Sequence, residues 1–133
     1  MLYDCHSIRS DIPFLFEGQL PVFSIGTNSG ASCANIIEQT VHDLCKAHLP
    51  DSTVLNGRFK GGWTTRHYGR PAQNQHAIQM ELAQRAYMTE STPWAFRLDR
   101  AKTLRPTLGH ILTTVSHLAI TGELNSAKGA SNV

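Results

Sequence analysis

The sequence predicts an α/β fold with a partly parallel sheet. Three observations carry this: a strictly alternating segment at His76–Leu82, two apolar stripes of helical period at 37–45 and 104–119, and short apolar runs between them. In chain order, LYDCH at residues 2–6 is apolar up to an abrupt polar cluster, as at the carboxyl end of a buried strand. In PVFSIGTNSG, Pro21 to Gly30, the residues Val22, Phe23 and Ile25 predict a short strand running into a Gly/Asn/Ser turn. From Ser32 the period becomes helical, with Ile37, Val41, Leu44 and Cys45 on one stripe and Glu38, Asp43 and Lys46 elsewhere. Ser29 or Ser32 is the expected cap, and Pro50 the stop. Ser52–Leu55 reads as a short strand stopped by Asn56-Gly57, and Arg58–Pro71 as a Gly-containing loop crowded with Arg, Lys, His and aromatics.

From His76 to Leu82 the side chains alternate. Ile78, Met80 and Leu82 point one way, and Ala77, Gln79 and Glu81 the other. A helical turn is expected in LAQRAYM. The last helix runs from about Asp99 to Thr121, with Leu104, Leu108, Ile111, Leu112, Val115 and Ala119 as its apolar stripe. Gly122 supplies its stop, and Pro106 implies either a start near Arg105 or a kink. Residues 1–124 read as part of one domain. The segment 125–133 (NSAKGASNV) lacks apolar content and is expected to be a frayed tail.

Composition narrows the function classes. Across 133 residues the formal net charge is +2, with no basic cluster, so polyanion binding lacks its electrostatic footprint and no nucleic-acid partner is expected. Only 17% of residues are charged, which suits neither a coiled coil nor a disordered chain. No segment is apolar for long enough to span a bilayer, and no export signal opens the chain, so no membrane partner is expected. Three cysteines without a CxxC pair read as free thiols of a reducing compartment, and the expected location is the cytoplasm.

Three clusters can carry chemistry: Asp4-Cys5-His6-Ser7, the stretch Arg58–Gly62 with Arg66-His67-Tyr68, and Gln79-Met80-Glu81. Functional groups of α/β sheets gather at the carboxyl ends of strands. A His there can ligate a metal, oriented by a carboxylate such as Asp4. A Glu there can move a proton between water and a leaving nitrogen. Taken singly, His6 and Glu81 are each more often structural or solvated than functional. The cationic loop reads equally well as a mildly basic, solvated surface. Ser7 and Arg9 directly follow His6 and are close enough in sequence to reach the same site; Asn28 and Ser29 suit a turn. Cys5, Cys33 and Cys45 are expected as buried small residues, Trp63 and Trp94 as packing anchors, Met80 and Met88 as core, and His42, His48, His110 and His117 on helix surfaces.

The blocks YDCHSIRSDIP, LPVFSIGTNSGASC and VLNGRFKGGWTTRHYGRPAQNQHAIQMELAQRAYM resemble, in this order, the N-formylglutamate amidohydrolase (N-formylglutamate deformylase) family of histidine catabolism. The resemblance extends to about Pro106. It implies an α/β/α sandwich around a mixed sheet, similar to the zinc carboxypeptidases, and hydrolysis of N-formyl-L-glutamate to formate and L-glutamate. It also implies one Zn²⁺ per complete active site, with His6 as a metal ligand and Glu81 as the general base. Arg58 and Arg66, with Lys60 behind them, become candidates for holding the two substrate carboxylates, since planar Arg suits bidentate recognition. His67 or Tyr68 becomes a hydrogen-bond donor to substrate or oxyanion.

The family's other ligands, an early His and Glu, have no counterpart, because no HxxE pattern occurs. His42, Asp43 and Lys46 do not substitute, since this stretch offers no carboxylate at the spacing where one is needed. A single imidazole cannot hold a catalytic zinc. The chain is therefore expected to be the carboxyl-terminal half of the family's fold, inactive alone, with the amino-terminal half as its partner. Two other readings stand beside this one: a non-catalytic remnant or interaction module, and a related N-acyl amino acid deacylase.

Overall fold

The computed structural model describes residues 1–126. Four strands form one mixed sheet: β1 (Leu2–Ile8), β2 (Phe23–Gly26), β3 (Thr53–Leu55) and β4 (Ala77–Ala83), in the order β1-β4-β2-β3. β1 runs parallel to β4 and β2 parallel to β3, while β2 and β4 are antiparallel. Helices α1 (Asn35–His48), α2 (Trp63–Tyr68), α3 (Leu98–Thr121) and α4 (Glu123–Ser126) complete the fold. No described helix is long and apolar enough to cross a membrane.

The alternation in β4 sets the layers. Ile78 and Met80 join Phe23 and Ile25 of β2, Ile37, Val41 and Cys45 of α1, and Leu104, Ile111, Val115 and Leu118 of α3 in one core. Both long helices thus cover the same side of the sheet. Gln79 and Glu81 face the other side, where α2 lies against β4 and β1. The expected sandwich is present as an α/β arrangement whose second helical layer, among the described residues, is α2.

Several expectations shift in detail. The cap of α1 is Ala34, not Ser29 or Ser32. Ser32 instead donates its hydroxyl to the Ala77 carbonyl (2.8 Å), and the Ala34 N–H donates to His76 Nδ1 (3.1 Å), so the start of β4 anchors the entry to α1. The loop expected over Arg58–Pro71 contains α2, a six-residue helix bracketed by Gly62 and Gly69, too short for its period to show. The expected turn in LAQRAYM is a 3₁₀ turn at Gln84–Ala86.

α3 runs unbroken through Pro106, at a cost of one backbone hydrogen bond. Leu104 and Ile111, buried on either side of it, anchor the helix to the core. Leu118 takes the place expected for Leu112 and Ala119, which are exposed. Gly122 ends α3 in the left-handed conformation at φ +75°, as its sequence position implied. The expected tail opens in α4, and residues 127–133 lie outside the described residues.

β1 is an edge strand of the described sheet, not a buried one. Cys5 is consequently exposed, whereas Cys33 and Cys45 are buried and their thiols are pushed up to about 12 by burial. Trp63 (64% exposed) and Trp94 (44%) are not packing anchors. Beside the open edge of β1, Met1, Leu112 and Ile120 leave apolar surface uncovered.

Candidate active site

His6 and Glu81 meet because β1 and β4 are parallel and in register. His6 pairs with Glu81 and Asp4 with Gln79, so all four side chains share the sheet face opposite the helical core. His6 Nε2 lies 3.0 Å from Asp4 Oδ1. With the proton on Nε2 donated to that carboxylate, Nδ1 carries the lone pair, which is the carboxylate-oriented imidazole expected of a metal ligand.

Glu81 is 6% exposed, and its carboxyl sits above the ordinary carboxylate range. Burial is the largest cause and Asp4 adds to it, while His6 and a hydrogen bond from Gln79 pull the other way. Gln79 Nε2 donates to Glu81 Oε2 (3.2 Å), and Gln79 Oε1 accepts from the Gly62 N–H (2.7 Å). Across the antiparallel pairing Ser24 stands opposite Glu81, and its buried hydroxyl has no hydrogen-bond partner among the described residues. A buried carboxyl with raised proton affinity beside an oriented imidazole is suited to accepting and returning a proton.

The cationic loop approaches through its backbone. Lys60 O accepts from Asn28 N–H (2.6 Å), and residues 60–61 pass directly over Gly26, the last residue of β2. A Cβ at Gly26 would stand 2.7 Å from the Lys60 carbonyl carbon and nearer still to Gly61 N. Gly26→Ala is therefore expected to destabilise the chain by about 1–3 kcal/mol and to displace the loop. Chemical denaturation checks the first effect and the Gly62 amide resonance the second; an unshifted resonance with native stability contradicts both.

The candidate residues divide. His6 and Glu81 are brought together. Arg58, Lys60, Arg66, His67 and Tyr68 are exposed, and no hydrogen bond, ion pair or ring contact joins them to His6 or Glu81. His67 stacks on Trp63 (centroids 4.2 Å apart) and meets Tyr68 edge-on (4.8 Å). The ring contact between Phe16 and Phe59 ties this loop to the one that follows β1. Ser7 is on the opposite face, hydrogen-bonded to the Tyr87 hydroxyl (2.7 Å), so it does not reach the site.

Asn28 and Ser29 adopt positive φ, and the Asn56 side chain accepts from the Thr27 and Ser29 N–H groups, a turn role. Sequence reasoning names Gln79 in the cluster of Glu81 without giving it a role, and it passes over Ser24. Only the i, i+2 spacing of Gln79 and Glu81 on an alternating strand could have signalled Gln79. Nothing in the sequence pairs Ser24 with Glu81. Among the described residues no group of three His, Cys, Asp or Glu side chains could hold a metal ion. The set fits one ligand position, at His6, and not a whole zinc site.

The family model described as N-formylglutamate amidohydrolase matches residues 1–88. The N-formylglutamate deformylase of Pseudomonas aeruginosa is 50% identical over 115 residues, which make up 86% of this chain and 43% of that protein. The N-formylglutamate deformylase of Pseudomonas putida is 49% identical over 112 residues, 84% of this chain and 42% of that protein. The chain thus spans a little under half the length of these curated relatives. In fold it is similar to the crystal structure of N-formylglutamate amidohydrolase from Ralstonia eutropha JMP134, with a TM-score of 0.69 and 22% identity, over 90% of this chain and 44% of that one.

Proposed function

The chain belongs to the N-formylglutamate amidohydrolase family, and from that premise we propose that it supplies part of the catalytic centre of an enzyme hydrolysing N-formyl-L-glutamate to formate and L-glutamate. The observation that carries this is Glu81, a buried carboxyl of raised proton affinity placed beside the His6–Asp4 pair. Hydrolysis of a formyl amide needs a proton taken from the attacking water and a proton given to the departing amine. Glu81 does both: it accepts the water proton as the new C–O bond forms, and it returns that proton to the glutamate nitrogen as the C–N bond breaks.

Zn²⁺, one per complete site, is the proposed cofactor, and bound zinc supplies Lewis acidity and an acidified water. This chain offers His6 Nδ1 as one ligand. The remaining ligands have to come from a partner, proposed to be the part of the family's fold that this chain does not span. The open edge of β1 and the apolar surface of Met1, Leu112 and Ile120 are where that part is proposed to pack. The reaction is proposed to serve histidine degradation in the cytoplasm, consistent with three free cysteines.

Formate release from N-formyl-L-glutamate with added zinc tests the reading. The 133-residue chain alone is expected to be inactive. Activity is expected when the segment of the Pseudomonas aeruginosa relative left uncovered by the match is supplied with it. Silence of the complemented pair would favour the second reading, a non-catalytic module, for which the lack of a three-ligand set among the described residues speaks.

Arg58 and Arg66 are the proposed substrate-carboxylate contacts, with Lys60, His67 and Tyr68 beside them on the same loop and helix. Arg58→Ala and Arg66→Ala are expected to change stability by less than about 0.5 kcal/mol, because the side chains are exposed. Either substitution is expected to raise KM for N-formylglutamate roughly tenfold, from the loss of a charge-assisted pair. A formyl amino acid without a side-chain carboxylate should show a smaller rise. Equal rises for both substrates would remove the side-chain clamp from the proposal.

A further inference from the structure

We infer that Gln79 is a positioning residue that ties the backbone of the glycine loop, at Gly62, to the Glu81 carboxylate. Gln79 is only 6% exposed, so its amide has to satisfy its polar atoms within the protein. The Gly62 N–H can only donate, which fixes Oε1 on that side at 2.7 Å. Nε2 is then turned toward Glu81 Oε2, which only accepts when ionised, at 3.2 Å. A flipped amide would set an NH₂ against the Gly62 N–H and a carbonyl against the carboxylate, and would lose both bonds. The direction of the relay is therefore determined at each end.

The two ends belong to different parts of the site. Gly62 immediately precedes α2 and follows the Arg58–Lys60 stretch, whereas Glu81 stands between His6 of β1 and Ser24 of β2. The passage of residues 60–61 over Gly26 brings the Gly62 amide within reach of Gln79. A shift of the loop thereby withdraws the Gly62 N–H from Gln79 Oε1 and frees the amide whose NH₂ holds the Glu81 carboxylate. The catalytic importance of the relay rests on Glu81 as the proton carrier. The relay itself can be tested without catalysis, so its failure is distinguishable from a failed assignment of the base, which formate release reads.

The test is hydrogen exchange of the Gly62 amide, followed by NMR in the 133-residue chain. Gln79→Met removes the acceptor and is expected to speed Gly62 exchange about fivefold. Glu81→Ala leaves that acceptor in place but frees the far end of the amide, and is expected to speed exchange about threefold. In the Gln79→Met background Glu81→Ala should have no further effect on Gly62, a non-additivity that a purely local structural role does not produce. Should Glu81→Ala lose the fold, Glu81→Met, apolar and of similar length, carries the same arm. Unchanged Gly62 exchange in the Glu81 variant, or equal acceleration with and without Gln79, overturns the relay.

Discussion

Glu81→Gln is expected to cut formate release by the complemented enzyme about 10²–10⁴-fold while zinc uptake is unchanged. Gln keeps the shape and an acceptor for Gln79 but carries no titratable proton, so binding is retained and proton transfer is lost. Zinc lost together with activity would make Glu81 a ligand and remove it as the base.

The same substitution has an expected effect of opposite sign on stability. Burial raises the proton affinity of Glu81 in the folded chain above its unfolded value. At intermediate pH the folded state therefore holds more protons than the unfolded one, and stability falls as pH rises through that window. The contribution is fully present below the ordinary Glu range and is lost above the raised folded value. Glu81→Gln is expected to flatten this dependence and to leave the chain more stable than its parent at neutral pH. Urea midpoints measured from pH 4 to pH 8 check it, and a parent whose stability rises steadily across that range contradicts the assignment. A residue whose removal stabilises the fold and abolishes the reaction is kept for chemistry, not packing.

Phe23→Ala is the substitution with the largest expected cost to folding, about 3–5 kcal/mol. Phe23 is fully buried at the start of β2, with the His48 ring edge-on to it at 6.1 Å. Its loss opens a cavity between the sheet and α1. The next residue, Ser24, is the β2 neighbour of Glu81, so the cavity lies directly behind the site. Against a typical domain stability of about 5–15 kcal/mol this change is enough to unfold a marginal chain. Phe14→Ala, at a residue 88% exposed, is the control and is expected to be nearly neutral. Denaturant midpoints for the pair give the answer, and similar midpoints for both variants would mean that the core is not built around β2.

Much of the fold could be read from the sequence because its signals are periodic. The alternation of Ala77–Leu82 put Ile78 and Met80 in the core and turned Gln79 and Glu81 to the other face. The period of Ile37, Val41 and Cys45 located the buried side of α1, and Gly122 marked the end of α3. Wherever a signal is shorter than its own period, or depends on a distant partner, the sequence misleads. α2 has six residues. The cap expected from Ser32 is diverted by a bond to β4, forty-five positions away. Cys5 and Trp63 belong to residue types that are usually buried, but an open strand edge and a surface helix leave them exposed.

The candidate site divides along the same line. Residue type and local spacing in the sequence made His6, with its neighbour Asp4, and Glu81 on an alternating strand candidates, and the family resemblance suggested the ligand and base roles proposed for them. Only the tertiary structure decided that they face one another. That depends on the parallel register of β1 with β4, a pairing between segments more than seventy residues apart. It also decided that Gln79 and Ser24 flank the carboxylate and that Ser7 points away, since a strand's pleat assigns faces only once its partners are known.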